Sequence, residues 1–305
     1  MTTKSGRTRL AVLSASAALL ALAGCAPQAT SSQAGSSSSA TTGSGSGAAS
    51  AATCAKGALQ TQTSGTLTIG TDNPAYDPWF QDNKPANGKG FESAVAYAVA
   101  DRLGYAQGKV AWTTVPFDNA VTPGVKKFDF DINQVSVTDQ RKQAVDFSSG
   151  YYDVRQAVVT LQGSKIAGAT DVSALKGAKL GAQVGTTGLT VISNLVKPSA
   201  QPAVFETTDL AVAALKNHQV DAIVVDLPTA FYVTSVQVPT AKVVGQFAQD
   251  AAGTGGSEQF GLVLSKGSVL TSCVSQAVDS LRTDGTLDKI AKQWLPASDT
   301  APVLK

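Results

Sequence analysis

Apolar and polar positions change rhythm along the chain, and each change marks an element. From Leu67 onward, short apolar runs alternate with stretches of helical period. "TLTIGT" (66–71) reads as a strand. "GFESAVAYAVADRLG" (90–104) sets Phe91, Val95, Ala98, Val99 and Leu103 on one helical face, and Gly104 closes it. "KVAWTTV" (109–115), "KFDFDI" (127–132) and "QAVVTLQ" (156–162) read as further strands. "KLGAQ" (179–183) is another, followed by a Gly/Thr turn and a helical stretch, Leu189–Val196. "TTDLAVAALKNHQ" (207–219) is a capped helix feeding the near-continuous apolar strand "VDAIVVD" (220–226), and "QFGLVLS" (259–265) is a late strand. Two helices close the pattern. Leu270, Val274, Ala277, Val278 and Leu281 stripe the first; Leu287, Ile290, Ala291, Trp294 and Leu295 stripe the second, with Asp284-Gly285 as the turn between. Strands alternating with helices predict an α/β fold with largely parallel sheets.

The part of the chain before this alternation carries no such pattern. Lys4, Arg7 and Arg9 precede the apolar run "LAVLSASAALLALAG", which is too short for a spanning helix and ends in small residues. This is the pattern of an export signal. Its ending "LAGC" (Leu22–Cys25) resembles a bacterial lipobox, in which the cysteine is lipidated and becomes the new N-terminus; a plain secretory peptide is the alternative. Residues 26–53 are mostly Ser, Gly, Ala and Thr, without charge or aromatic ring. Such a segment cannot bury enough surface to fold. As a flexible tether it spans roughly 30 Å.

Composition narrows the function. Of 305 residues, 43% are hydrophobic, enough for one large or two modest cores. Losing the leader removes three cations and no acid, leaving the chain near neutral. No basic run or patch suits nucleic acid. Met1 is the only methionine, and His218, the only histidine, sits between a helix and a strand, as in a solvated loop. No metal site or cofactor is expected. "NGKG" (87–90) lacks the remaining positions of a phosphate-binding loop. Cys54 and Cys273 remain beside Cys25, and an even remainder in an exported chain suggests one disulfide, two separate thiols being the alternative.

Polar residues collect where strands end. "LTIGT" runs into Asp72, "FDFDI" into Asn133, Gln134 and Ser136 with Arg141 beyond, "KLGAQ" into Gly185, Thr186 and Thr187, and "VDAIVV" into Asp226. Ligands of open α/β sheets bind outside the carboxyl ends of strands. One arginine, two carboxylates, hydroxyls and free N–H groups suit a small zwitterion.

The stretches "LTIGTDNPAYDPW", "GFESAVAYAVADRLG", "VPFDNAV", "FDFDINQVSVTDQRKQAVDFSSGYYD", "LKGAKLGAQVGTTG", "ALKNHQVDAIVVDLP", "EQFGLVLSKGS" and "LRTDGTLDKIAKQWL" follow in that order. Together they resemble the polar amino-acid-binding lipoproteins of ABC importers, extracellular solute-binding protein family 3, from Leu67 to Leu295. The resemblance implies a two-lobed periplasmic-binding-protein-like clamp of type II with two β-strand hinge crossings. It divides the chain into a lipoprotein signal peptide (1–24), the lipidated Cys25 with a tether (25–62), the first part of lobe 1 (63–154), lobe 2 (155–252) and the rest of lobe 1 (253–305). It also implies that Arg141, ending the pattern Ser136-Val137-Thr138-Asp139-Gln140-Arg141, forks onto a ligand carboxylate. Backbone N–H groups of Ser136 and Thr187 would share that carboxylate, with Thr186 beside them. Asp226 and the carbonyl of Gln134 would take the ammonium. Tyr76 and Phe117 would sandwich the ligand side chain, and Asp72 and Gln183 would meet its tip.

The same resemblance brings the closing helices back to lobe 1, where Cys273 and Cys54 could meet. It implies a monomer on the outer face of the cytoplasmic membrane, anchored only by lipid, with an amino acid and ABC permease subunits as partners and no catalysis. A sensor docking on a receptor and an exported dehydratase are rival readings. Taken alone, the residues leave blander roles open: a surface ion pair of Arg141 with Asp139 or Asp146, a helix cap for Asp226 or Thr186, core packing for Tyr76 and Phe117, and a turn for Asp72. Many relatives carry a small residue where Gln134 stands. The side-chain pocket does not reveal which amino acid is bound; Asp72 favours glutamine or a basic one.

Overall fold

The computed structural model describes residues 54–253, 256–295 and 301–305. The signal segment, Cys25 and the tether up to residue 53 lie outside them. The chain first builds β1 (Leu67–Thr71), β2 (Val110–Thr114), β3 (Phe130–Asp131) and β4 (Val145–Asp153). It crosses at Val154-Arg155 into a second sheet of β5 (Gln156–Leu161), β6 (Leu180–Gln183), β7 (Ala203–Phe205), β8 (Ala222–Asp226) and β9 (Ala241–Gln246), and returns with β10 (Gln259–Ser265). The first sheet has the order β2-β1-β3-β10-β4 and the second β7-β6-β8-β5-β9. This is a two-lobed α/β clamp.

Both sheets are mixed, which corrects the expectation of largely parallel pairing. β1 runs parallel to β2 and β3, and β6 to β7 and β8. β10 is antiparallel to β3 and β4, and β5 to β8 and β9. A parallel neighbour needs a crossover connection, usually a helix. β5 and β10 instead arrive straight from the other lobe, so they run against their neighbours.

The helices are α1 (Phe91–Arg102), α2 (Phe117–Val121), α3 (Asp139–Ala144), α4 (Thr187–Val191), α5 (Thr208–Lys216), α6 (Leu227–Tyr232), α7 (Thr271–Thr283) and α8 (Thr286–Trp294). The sequence reading had no β4, β7, β9, α2 or α3, and met α6 only as an element that Asp226 could cap. β4 shows why: its burial lacks clean alternation, because its register with β10 shifts near Gly150 and Gly261. The expected strand 127–132 pairs as a ladder only at Phe130–Asp131. The stretch 189–196 divides between α4 and a π turn, Ile192–Val196.

Lobe 1 packs α1, α7 and α8 over the first sheet in its main core, with two smaller clusters around Phe117 and Phe128. Lobe 2 has separate cores on the two faces of its sheet. Two boundaries move. Residues 54–62, expected in the tether, belong partly to lobe 1: Leu59 packs on its core and Gly57 N–H bonds the Leu103 carbonyl. Residues 301–305, expected in lobe 1, lie on lobe 2. There Val303 bridges Gln246, Leu304 enters the core and Lys305 bonds Thr170 and Val172. Cys54 and Cys273 form a disulfide with a Cα–Cα separation of 5.3 Å, within the usual range. No helix among the described residues is long and apolar enough to cross a membrane.

Candidate functional site

The strand ends face one another across the gap between the sheets. Asp72, Tyr76, Phe117, Gln134, Ser136, Arg141, Gln183, Thr186, Thr187 and Asp226 line one cavity there, together with Asn133, Gln156, Thr208 and Thr229. Its volume is about 50 Å³. That holds a few waters and no more, so a larger ligand enters only if the lobes part.

Arg141 is placed by its own short motif. The Thr138 hydroxyl accepts the Arg141 N–H at 3.1 Å and caps α3, which fixes the arginine in the first turn. Its guanidinium donates to the Ser136 carbonyl at 2.6 Å in lobe 1 and to the Gly185 carbonyl at 2.8 Å in lobe 2. It also lies 5.4 Å from the centre of the Phe117 ring. The surface ion pairs considered for it do not form: Asp139 pairs with Lys142 and Asp146 with Lys266. Burial lowers the Arg141 pKa to about 10, against the opposing pull of Glu258, Asp226 and Asp118. Gly185 is suited to its position, with φ +71° and Asp118 Oδ1 2.5 Å from where a Cβ would stand.

Behind the arginine lies a polar network joining both hinge crossings. Gln156, which opens β5, donates from Nε2 to Asp226 Oδ1 at 2.6 Å, Thr187 Oγ1 at 3.1 Å and Glu258 Oε1 at 3.2 Å. Ser136 Oγ donates to the same Glu258 oxygen at 2.6 Å. Burial, then the nearby Glu258 charge, pushes Asp226 up to about 8 despite its bond from Gln156. Asp226 stands at the N-cap of α6 without a capping bond, so the cap role is not taken. Thr186 does cap α4, accepting from Leu189 N–H.

The other end of the cavity is acidic. Asp72 accepts N–H bonds from Asn73 at 2.7 Å and Phe117 at 3.3 Å, yet burial still raises its pKa, with Asp118 adding to the rise. Burial and Asp209 raise Tyr76 to about 12. Gln183 accepts from the Thr208 hydroxyl at 2.8 Å. Tyr76 and Phe117 also pack against lobe 1 cores, so core and cavity roles coexist. Asn133 is 6% exposed, and its Nδ2 has no hydrogen-bond partner among the described residues. Glu92, fully buried at the start of α1, is held by Gln134 and Tyr151.

Sequence reasoning missed Gln156, Glu258 and Glu92. Gln156 carried one signal, a polar residue opening a strand that is otherwise apolar. His218 is exposed and outside the cavity. No cluster among the described residues is placed to hold a metal ion.

Residues 67–297 match the model of the bacterial extracellular solute-binding proteins, family 3. The chain belongs to this family. Among its relatives, a probable histidine-binding protein of Campylobacter jejuni is 28% identical over 77% of this chain and 87% of its own length. The lysine/arginine/ornithine-binding periplasmic protein of Escherichia coli is 28% identical over 75% of this chain and 87% of its own. The structure of an ancestral arginine-binding protein bound to arginine superposes with a TM-score of 0.61 at 32% identity, covering 76% of this chain and 98% of that one. In this solute-binding protein the cavity between the sheets is therefore the place to seek a ligand.

Proposed function

We propose that this chain captures a free amino acid between its lobes and delivers it to the permease of an ABC importer. The observation that carries the reading is Arg141: a guanidinium that touches both lobes and is bonded to carbonyls, absent from every ion pair found among the described residues. A planar fork in that position matches a carboxylate. Ser136 and Thr187 N–H groups complete the carboxylate site, while Asp226 and the Gln134 carbonyl take the ammonium. Tyr76 and Phe117 flank the side chain. Asp72 meets its tip, and the further acids Asp118 and Asp209 near that end favour a basic side chain over glutamine. The names of the lysine- and arginine-binding relatives support the same choice. Lipid on Cys25 would hold the protein at the outer face of the membrane.

A thermal-shift screen of the twenty amino acids tests this directly. A ligand at 100 times its Kd stabilises by about 2.7 kcal/mol, and arginine or lysine should give the largest shift. Isothermal titration of Arg141→Ala should then show affinity weaker by roughly two to three orders of magnitude, from the ~3–5 kcal/mol cost of breaking a buried pair. Arg141→Lys should also bind poorly, since it loses the fork. No shift with any amino acid, or Arg141→Ala within about threefold of wild type, sinks the proposal.

A further inference from the structure

Gln134 lines the cavity with φ +48°. Side chains other than glycine rarely adopt that left-handed backbone, because Cβ crowds the neighbouring carbonyl. The turn sits where β3 has just ended and the chain bends into the wall of the cavity. Something outside the residue must hold it. Gln134 is gripped twice by one side chain: its backbone N–H donates to Glu92 Oε1 at 2.7 Å, and its side-chain amide donates to Glu92 Oε2. Tyr151, on β4, donates its hydroxyl to Glu92 Oε1 and fixes the carboxylate from the other side. Glu92 itself is 0% exposed, and its own N–H is bonded to the Trp79 carbonyl at 2.9 Å. It does not line the cavity, so it cannot serve as a direct ligand contact there.

We infer that Glu92 is a positioning residue of the ligand site, holding Gln134 in its left-handed turn so that the Gln134 carbonyl faces the ligand ammonium. The inference rests on the amino-acid reading of the cavity. Its physical content is a dependence: Glu92 matters to binding because residue 134 has a side chain. With glycine at 134 the backbone conformation carries no such penalty, and the external grip becomes dispensable. A purely structural Glu92 would stabilise the fold without that conditional effect on affinity.

The experiment is a double-mutant cycle read by isothermal titration with arginine, with thermal unfolding of each variant measured alongside. Glu92→Leu keeps the bulk and removes both acceptors. It should weaken binding roughly tenfold or more in the Gln134 protein. The same change made in the Gln134→Gly background should cost less than about threefold. Glu92→Gln retains an acceptor for the backbone N–H and should recover most of the loss. Equal losses in both backgrounds, or no loss in either, overturn the inference even when stability falls. Should Glu92→Leu fail to fold, Gln134→Ala against Gln134→Gly decides: alanine gives up the amide grip while keeping the Cβ, so it should bind weaker than glycine by roughly threefold or more. Equal affinities count against the role of Glu92. Arg141→Ala separates the two levels of the argument. If wild type binds arginine and Arg141→Ala does not, a flat cycle overturns only the role of Glu92; if wild type binds no amino acid, both readings fall.

Discussion

The two lobes are built on sheets of equal strand number, yet they are filled with different material. Lobe 1 is aromatic. Trp79, Phe91, Tyr151, Tyr152 and Phe260 meet in edge-to-face and tilted contacts with centroids 5.2 to 6.2 Å apart. Such rings bury large areas and add specific geometry to the packing. The Cys54–Cys273 disulfide fastens α7 to the segment before β1. Lobe 2 is aliphatic, with Val, Ala, Leu and Ile on both faces of its sheet and Phe247 as its large, fully buried ring. The site divides along the same line. Lobe 1 supplies Arg141, Phe117, Tyr76 and Asp72, the groups that must be held in fixed orientation. Lobe 2 supplies Asp226, Thr187 and Gln183. Under the proposed function, the lobe tied by rings and a disulfide carries the arginine, and the aliphatic lobe carries Asp226.

Removing the disulfide would strain that comparison most. Its sequence separation of 219 corresponds to about 5 kcal/mol in the chain-entropy model. Replacing Cys54 and Cys273 together by serine should lower stability by up to that amount in chemical denaturation. Amide exchange should show the loss concentrated in lobe 1, at α7 and β1. Loss spread evenly over both lobes would mean that the rings, not the bridge, set the difference.

A smaller effect comes from the buried acids. Burial raises Glu92 in lobe 1 to about 7 and Asp226 in lobe 2 to about 8. A raised carboxyl contributes stability that is full below its unfolded pKa, near 4, and is lost as pH climbs through the folded value. The Tm of ligand-free protein should therefore fall between pH 5 and 8 (roughly one proton released per group). Asp226→Asn should flatten the slope, and saturating arginine should do the same by pairing the carboxylate. Scanning calorimetry over that range checks it; a Tm that rises with pH contradicts the raised values.

The smallest expected change concerns a bond that runs from the aromatic core of lobe 1 into lobe 2. Trp79 Nε1 donates to Thr229 Oγ1 at 2.9 Å. Trp79→Phe keeps a ring and loses the donor, at about 1 kcal/mol. Stopped-flow should show faster ligand release by up to about fivefold, with the lobe 1 core intact. Unchanged release would remove this contact from the closing interface.

Legibility followed distance along the chain. The run from Ser136 to Arg141 is six residues long and was readable as a pattern, while the Thr138 cap and the helix α3 it starts were not. The apolar stripe of α7 was readable too, since Val274, Ala277, Val278 and Leu281 share a face through helical period alone, and all are buried. β4 was not, because its burial follows its bulged pairing with β10 rather than its own alternation. Asp226 could be placed at a strand end, while its neighbour Gln156 looked like an ordinary strand start until β5 and β8 were seen to pair Gln156 with Asp226 directly.

The sequence by itself determined the alternation of strands and helices, the strand-end positions of the polar residues and the place of Arg141 just beyond one of them. These are local properties, written by period, capping and side-chain type within a few residues. Tertiary structure alone decided that the sheets are mixed, that residues 301–305 leave lobe 1 for lobe 2, that Gln156 and Glu258 join the two hinge crossings, and that Glu92 grips Gln134. Each of these depends on which distant segments approach in space. The chain specifies that approach through the packing of whole faces, and no short window of residues contains it.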